Sequence, residues 1–271
     1  SFQHNLTDWD ALTLIKNCNA DVVCELAFTD LETGEPAISH CTAAFESGKH
    51  IVTSNKGPAA LAYQKMKDLA DKYNVMFMIE GTVMSGTPVL NLTSGPLAGC
   101  RISSAKGILN GTTNYILSEM EYGMEYKDAL KKAQELGYAE ADPTGDVEGY
   151  DARAKVTILA NVVMGVPCLL NEVSCDGISA ITADDIQNAQ KNNSRWKLIG
   201  NVEINDGTLT ASVKPEMIAL THPLAGIMGP TNAVTFSTDL LGEITIVGAG
   251  AGKIETGFSI LSDLLEIHRL S

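Results

Sequence analysis

At a typical ~150 residues per domain, 271 residues make one large unit or two smaller ones and exclude a peptide-sized scaffold held by staples. With 45% hydrophobic against 19% charged residues, the chain has a sizeable core to bury and lacks the composition of a disordered segment. Its 33 acidic and 19 basic side chains leave −14 at neutral pH, which opposes nucleic acid and anionic membrane surfaces as partners and favours small molecules.

Apolar spacing over Asp8–Cys18 predicts a short helix, and Ala20–Ala27 a buried strand that ends in the polar loop Thr29–Pro36. Ser39–Ser47 has helical periodicity closed by Gly48, and His50–Thr53 is a second buried strand stopped by Ser-Asn-Lys-Gly-Pro. Ala60–Tyr73 reads as a helix and Val75–Ile79 as a third strand. This alternation is that of a parallel α/β sheet, which places ligands beyond the carboxyl ends of its strands. After Pro88 the rhythm changes to longer helices and a mixed region. Tyr126–Leu136 is a helix stopped by Gly137, and Asp151–Met164 is apolar nearly all round, as in a buried helix. Val202–Ile204 and Leu209–Val213 flank Asn205-Asp206-Gly207, a hairpin signal. Glu243–Val247 is a strand that runs into Gly248-Ala-Gly-Ala-Gly252 and a final helix to about Ile267.

The longest apolar stretch, Val156 to Leu170, is broken by Thr157, Asn161, Gly165 and Pro167, so no membrane helix is expected. Cys18, Cys24, Cys41, Cys100, Cys168 and Cys175 form no CxxC pair, which fits reduced thiols in a cytoplasmic enzyme. Ser1-Phe-Gln-His4 carries neither the basic nor the apolar part of a targeting signal.

The most informative stretch runs from Gly137 to Lys155 (GYAEADPTGDVEGYDARAK). It gathers Glu140, Asp142, Asp146, Glu148 and Asp151 ahead of a buried helix, with Lys155 one turn from Asp151 on the same face. Burial lowers a lysine pKa and nearby carboxylates raise it, so such a lysine can be tuned to exchange a proton with an oxygen, while carboxylates hold an ammonium group. The plain alternative is an ordinary i,i+4 pair with a solvated acidic loop. Glu80 to Pro88 (EGTVMSGTP) is an irregular segment after a strand, either a crossover turn or an oxygen cage for a hard cation. Gly248 to Lys253 (GAGAGK) opens the last helix as a tight turn or a site for a polar ligand group. Val247 and Ile254 stand where a Walker A motif needs Gly and Ser or Thr, and Lys253 departs from GxGxxG. Lys56 sits at a strand end, as a surface lysine or one that reaches a ligand. His4, His40, His50, His222 and His268 show no metal-ligand spacing.

These segments together resemble the homoserine dehydrogenases. The matching runs are Thr33–Pro36, Ile51–Pro58, Glu80–Pro88, GILNGTTNYIL from Gly107, ELGYAEADP from Glu135, Asp151–Lys155, His222–Ala225 with Asn232–Val234, and Gly248–Gly252, in family order over nearly the whole chain. The resemblance implies NAD(P)-dependent interconversion of L-homoserine and L-aspartate 4-semialdehyde in threonine, methionine and isoleucine biosynthesis. It implies Lys155 as the proton donor and acceptor, Glu140, Asp146 and Asp151 as the acidic substrate site, and Lys56 beside nicotinamide and substrate. Ala27, Ser54, Gly137 and Gly252 fall where the family approaches NAD or NADP. Glu80 with the carbonyls of Val83, Ser85 and Thr87 matches a monovalent cation site for Na or K.

The expected fold is α/β: an incomplete Rossmann-like parallel sheet in residues 1–80 and 247–271, with an inserted α+β substrate and dimerisation domain in 81–246. A homodimer is a family expectation. Against the family, no GxGxxG turn precedes Asp21, and roughly 50–70 residues of βαβ unit are expected to be missing there. Two rival readings are a cofactor-free remnant that only dimerises or binds an amino acid, and an oxidoreductase on a different hydroxy acid.

Overall fold

The computed structural model describes residues 8–270; His4 lies outside them. The first part of the chain alternates α1 (Ala11–Asn17), β1 (Val22–Glu25), α2 (Ala37–Glu46), β2 (His50–Thr53), α3 (Lys56–Leu61), α4 (Tyr63–Tyr73) and β3 (Phe77–Met78). The three strands form a parallel sheet in the order β1-β2-β3, with Val23 opposite Ile51 and Val52 opposite Met78. Phe45, Ile51, Met66 and Ala70 pack together on one side of it. This is the expected piece of a Rossmann-like sheet. One difference lies at Ala60–Tyr73, where the single expected helix is two. The Asn55 side chain accepts the Gly57 N–H at 2.9 Å and starts α3 directly after β2, and Pro58 lacks only a first-turn N–H that needs no helical acceptor. The chain then breaks helical geometry at Ala62, with φ −140°.

The remainder comprises α5 (Val89–Ser94), β4 (Ile102–Ile108), α6 (Gly111–Glu121), α7 (Tyr126–Glu135), α8 (Thr144–Val147), α9 (Tyr150–Val162), β5 (Ser174–Cys175), α10 (Ala183–Lys191), β6 (Ser194–Asn205), β7 (Thr208–Ala219), β8 (Thr231–Thr238), β9 (Gly242–Ala249) and α11 (Lys253–Leu270). Its sheet runs β5-β7-β6-β4-β8-β9, antiparallel except between β5 and β7. The hairpin at Asp206-Gly207 joins strands longer than expected, with twelve residues each.

Side chains alternate across this sheet as the pleat requires. Ala105, Val202, Val213, Val234 and Phe236 join the main core with Ile116 and Leu117 of α6 and Ile158 and Leu159 of α9. Lys106 and Thr235 point the other way, where Lys106 pairs with Glu216 at 2.8 Å and Thr235 bonds Thr245 at 2.8 Å. Gly200 of β6 sets how closely α9 lies on the sheet, because a Cβ there would sit 2.8 Å from both Leu109 and Val156. After β9, α11 returns to the parallel sheet, where Ile260 and Ile267 pack on Val52. Residue 247, expected to open the last Rossmann-like segment, lies within β9.

Candidate active site

The end of β4, the start of α6 and the first turns of α9 meet at one hydrogen-bonded cluster. Asp151 and Lys155 lie one turn apart on α9, and the Lys155 Nζ donates to Asp151 Oδ2 and to the Leu109 carbonyl, both at 2.7 Å. Asn110 caps α6 by accepting the Thr113 N–H at 2.9 Å, and its amide nitrogen donates to Asp146 Oδ1 at 2.7 Å and Asp151 Oδ2 at 3.0 Å. From the end of the parallel sheet, Lys56 brings its Nζ to 3.4 Å from Asp151 Oδ1. Asp151 therefore stands between two ammonium groups.

Electrostatics separate the two aspartates. Burial works to raise the Asp151 pKa, but the Lys155 and Lys56 charges and the bonds from Lys155 and Asn110 outweigh it and hold the carboxyl below its usual range. Asp146 is pushed up by burial and by the charge of Asp151, against the Asn110 hydrogen bond. Lys155, with a side chain only 9% exposed, is held by a fixed anion and a fixed carbonyl. Two of its three N–H bonds are taken among the described residues, so the third is available to an oxygen placed beside it.

The structure brings Lys155, Asp151, Asp146 and Lys56 together. Glu140 is exposed and outside this network, although its loop is anchored beside it: Gln134 donates to the Glu140 carbonyl at 3.0 Å, and Thr112 Oγ1 of α6 donates to the Tyr138 carbonyl at 2.6 Å. Gly137 ends α7 in the same loop with φ +76°. Ala27 lies two residues after β1 and Ser54 follows β2 directly, at the strand ends where α/β sheets bind ligands. Asn55 ties these ends together by donating to the carbonyls of Ala27 at 3.1 Å and Phe28 at 3.0 Å. Gly252, at φ +145°, turns the chain from β9 into α11.

Glu80 opens a 3-10 turn, Glu80–Thr82, and its carboxylate accepts the N–H groups of Leu90 at 3.1 Å and Asn91 at 2.5 Å. Burial pushes its pKa up to about 7. Asp263 of α11 accepts the Glu80 N–H at 3.0 Å and the Asn91 side chain at 3.2 Å, and burial pushes it up to about 6. Ser85 bonds Thr256 of α11 at 2.7 Å, and the Thr87 carbonyl accepts the Val89 N–H at 2.8 Å. Among the described residues no three His, Cys, Asp or Glu side chains gather as a metal site. A cation beside Glu80 would therefore depend on backbone oxygens.

Sequence reasoning missed Asn110, the Leu109 carbonyl and Asp263. Asn110-Gly-Thr-Thr carries a readable helix-capping signal, whereas the partnership of Asp263 with Glu80 joins residues 183 positions apart.

The family described as homoserine dehydrogenase matches residues 88–265. An NAD(+)-dependent homoserine dehydrogenase of Pseudomonas canavaninivorans is 52% identical over 263 residues, 96% of this chain and 75% of the relative. A homoserine dehydrogenase of Methanocaldococcus jannaschii is 45% identical over 262 residues, 96% of this chain and 76% of the relative. Among solved structures, a putative homoserine dehydrogenase from Archaeoglobus fulgidus superposes with TM-score 0.89 at 42% identity, covering 96% of this chain and 78% of that one. A hyperthermophilic archaeal homoserine dehydrogenase mutant in complex with NADPH gives TM-score 0.84 at 28% identity, covering 98% of this chain and 77% of that one.

Proposed function

The chain belongs to the homoserine dehydrogenase family, and we propose that it interconverts L-homoserine and L-aspartate 4-semialdehyde with NAD or NADP, in the biosynthesis of threonine, methionine and isoleucine. The observation that carries this reading is the Lys155 ammonium, fixed between Asp151 and the Leu109 carbonyl in a chain 52% identical to such an enzyme.

The residues present fit a nicotinamide cofactor, because Lys56 follows the end of β2 and touches Asp151, so the ligand-binding edge of the parallel sheet adjoins the proton-transfer cluster. Ala27, Ser54, Gly137 and Gly252 would hold the dinucleotide, with Lys56 beside its ring. When bound, it supplies or accepts the hydride. Lys155 donates an N–H to the aldehyde oxygen, stabilises the alkoxide as it forms and gives up the proton; in the reverse direction it takes the hydroxyl proton. Asp151 and the Leu109 carbonyl keep Nζ in place throughout. Glu140, Asp146 and Asp151 supply the negative charge that orients the amino acid's ammonium group.

Residues 81–246 serve as the substrate and dimerisation domain, and residues 1–80 with 247–271 as the dinucleotide domain. Glu80 with the carbonyls of Val83, Ser85 and Thr87 takes a monovalent cation, Na or K. The chain pairs with a second copy as a homodimer, as the family resemblance implies. A cytoplasmic location agrees with six free cysteines, and no helix of the described residues is long and apolar enough to cross a membrane.

The test is L-homoserine-dependent NAD(P)H formation, with Lys155→Ala beside the unsubstituted enzyme. Turnover is expected to fall at least about a hundredfold, with homoserine binding weakened less. Full turnover in Lys155→Ala would remove the assignment, and homoserine binding without turnover in either protein would favour an amino-acid-binding remnant.

A further inference from the structure

Lys197 of β6 is fully buried, and among the described residues no carboxylate lies within ion-pair distance of it. Its Nζ donates to Asn114 Oδ1 at 2.9 Å and to the Ile227 carbonyl at 2.6 Å, with Met228 Sδ at 3.5 Å. A buried ammonium is costly compared with an apolar side chain of similar length, and burial pushes this one down to about 8. Its partners explain what it organises. By occupying Asn114 Oδ1, Lys197 turns the other end of that amide towards the carbonyls of Gly229 at 2.8 Å, Thr231 at 3.1 Å and Ile227 at 3.3 Å. Ser118, one turn further along α6, accepts the Gly229 N–H at 3.0 Å. The whole segment 227–231 is thus fastened to α6.

That segment bears on the site. The Pro230 carbonyl approaches the first residue of α6 so closely that a Cβ on Gly111 would sit 2.6 Å from it. Gly111 follows Leu109 and Asn110, the two residues that hold Lys155 and Asp151. Arg195, two residues before Lys197, fixes the far end of α6 through Glu121 at 3.0 Å.

We propose that Lys197 is a positioning residue for homoserine turnover: through Asn114 it presses segment 227–231 against the start of α6 and so sets where the Leu109 carbonyl and Asn110 amide hold Lys155 and Asp151. The proposal rests on the functional reading above. Lys197 itself touches neither the proton-transfer cluster nor the strand ends assigned to the dinucleotide. Its loss is therefore expected to act on chemistry and homoserine binding and to spare the dinucleotide.

The experiment uses the full enzyme with Lys197→Met, and Ser118→Ala as a milder release of the same segment. Dinucleotide-binding sites are counted by NAD(P)H fluorescence, and turnover is expressed per site, so that misfolded protein lowers the count and not the rate. Lys197→Met is expected to lose about tenfold or more in turnover per site and to raise the homoserine KM, with the dinucleotide KM within about twofold. Ser118→Ala is expected to show the same pattern in smaller measure, and it decides the matter if Lys197→Met does not fold. Unchanged turnover per site and unchanged homoserine KM in the variants that fold overturn the proposal. An unsubstituted enzyme that binds dinucleotide but does not turn over homoserine overturns the functional reading, and this inference with it.

Discussion

A lysine serves as a proton donor only if its ammonium is held where the oxygen will arrive. Lys155 meets that condition through two contacts of different kinds, an anion one turn back on its own helix and a carbonyl from the end of β4. Lys197 is the contrasting case, a buried ammonium held by neutral oxygens, and its ionisation should be measurable as stability. Its pKa of about 8 in the folded chain lies below 10.5, its value when exposed. Between those values the unfolded chain binds more protons than the folded one, so raising the pH through this window stabilises the fold; below it the cost of the buried charge is present in full. Glu121 opposes the shift and Arg195 adds to it. In urea unfolding from pH 7.5 to 10, the unsubstituted protein should gain stability relative to Lys197→Met, whose own pH dependence comes from the other groups alone. Parallel curves for the two would mean that the folded chain keeps Lys197 protonated across this range, as an exposed lysine is.

Element by element, the parts legible in the sequence are those whose signals are local. β2 is found where the run His50–Thr53 predicts it, and the Asp151–Lys155 spacing reads directly because α9 carries both residues. β4 and β8 did not stand out, since the adjacent polar pairs Ser103-Ser104 and Thr231-Asn232 interrupt the alternation that marks a half-buried strand, and their pairing joins Ala105 to Phe236 far along the chain. The same distance hid Asn110 as the bridge between Asp146 and Asp151, although its capping position was visible. Gly200 shows how an element's placement depends on one missing side chain. In Gly200→Ala the new Cβ must displace Leu109 and Val156, which are fully packed, at a cost of about 1–3 kcal/mol. The urea midpoint should fall with an unchanged m-value, and turnover should fall with it, because the displaced residues carry the Leu109 carbonyl and adjoin Lys155. A variant with wild-type turnover would show that the Leu109 and Val156 side chains repack without moving the backbone that holds the cluster.

At the scale of the whole molecule, the proposed chemistry draws on both sheets. Lys56 extends from the carboxyl end of the parallel sheet, while Asp151 belongs to the helix packed on the antiparallel one, and their 3.4 Å pair spans the junction. The contact is partly exposed on both sides, at 22% and 21%, so its share of stability is within about 1 kcal/mol. Its share of catalysis is expected to be much larger, since a ring placed at the strand ends must reach an aldehyde held near Asp151, and a misplacement of ~1 Å costs up to about a hundredfold in rate. Lys56→Met keeps most of the side-chain volume and leaves Asp151 its bond to Lys155. It should therefore lower kcat/KM by at least about tenfold while the urea unfolding curve moves by no more than about 1 kcal/mol. The reverse result, several kcal/mol of lost stability with turnover per binding site unchanged, would make Lys56 a strut between the two sheets and take it out of the site. The two measurements thus separate a residue that holds the halves together from one that uses their meeting.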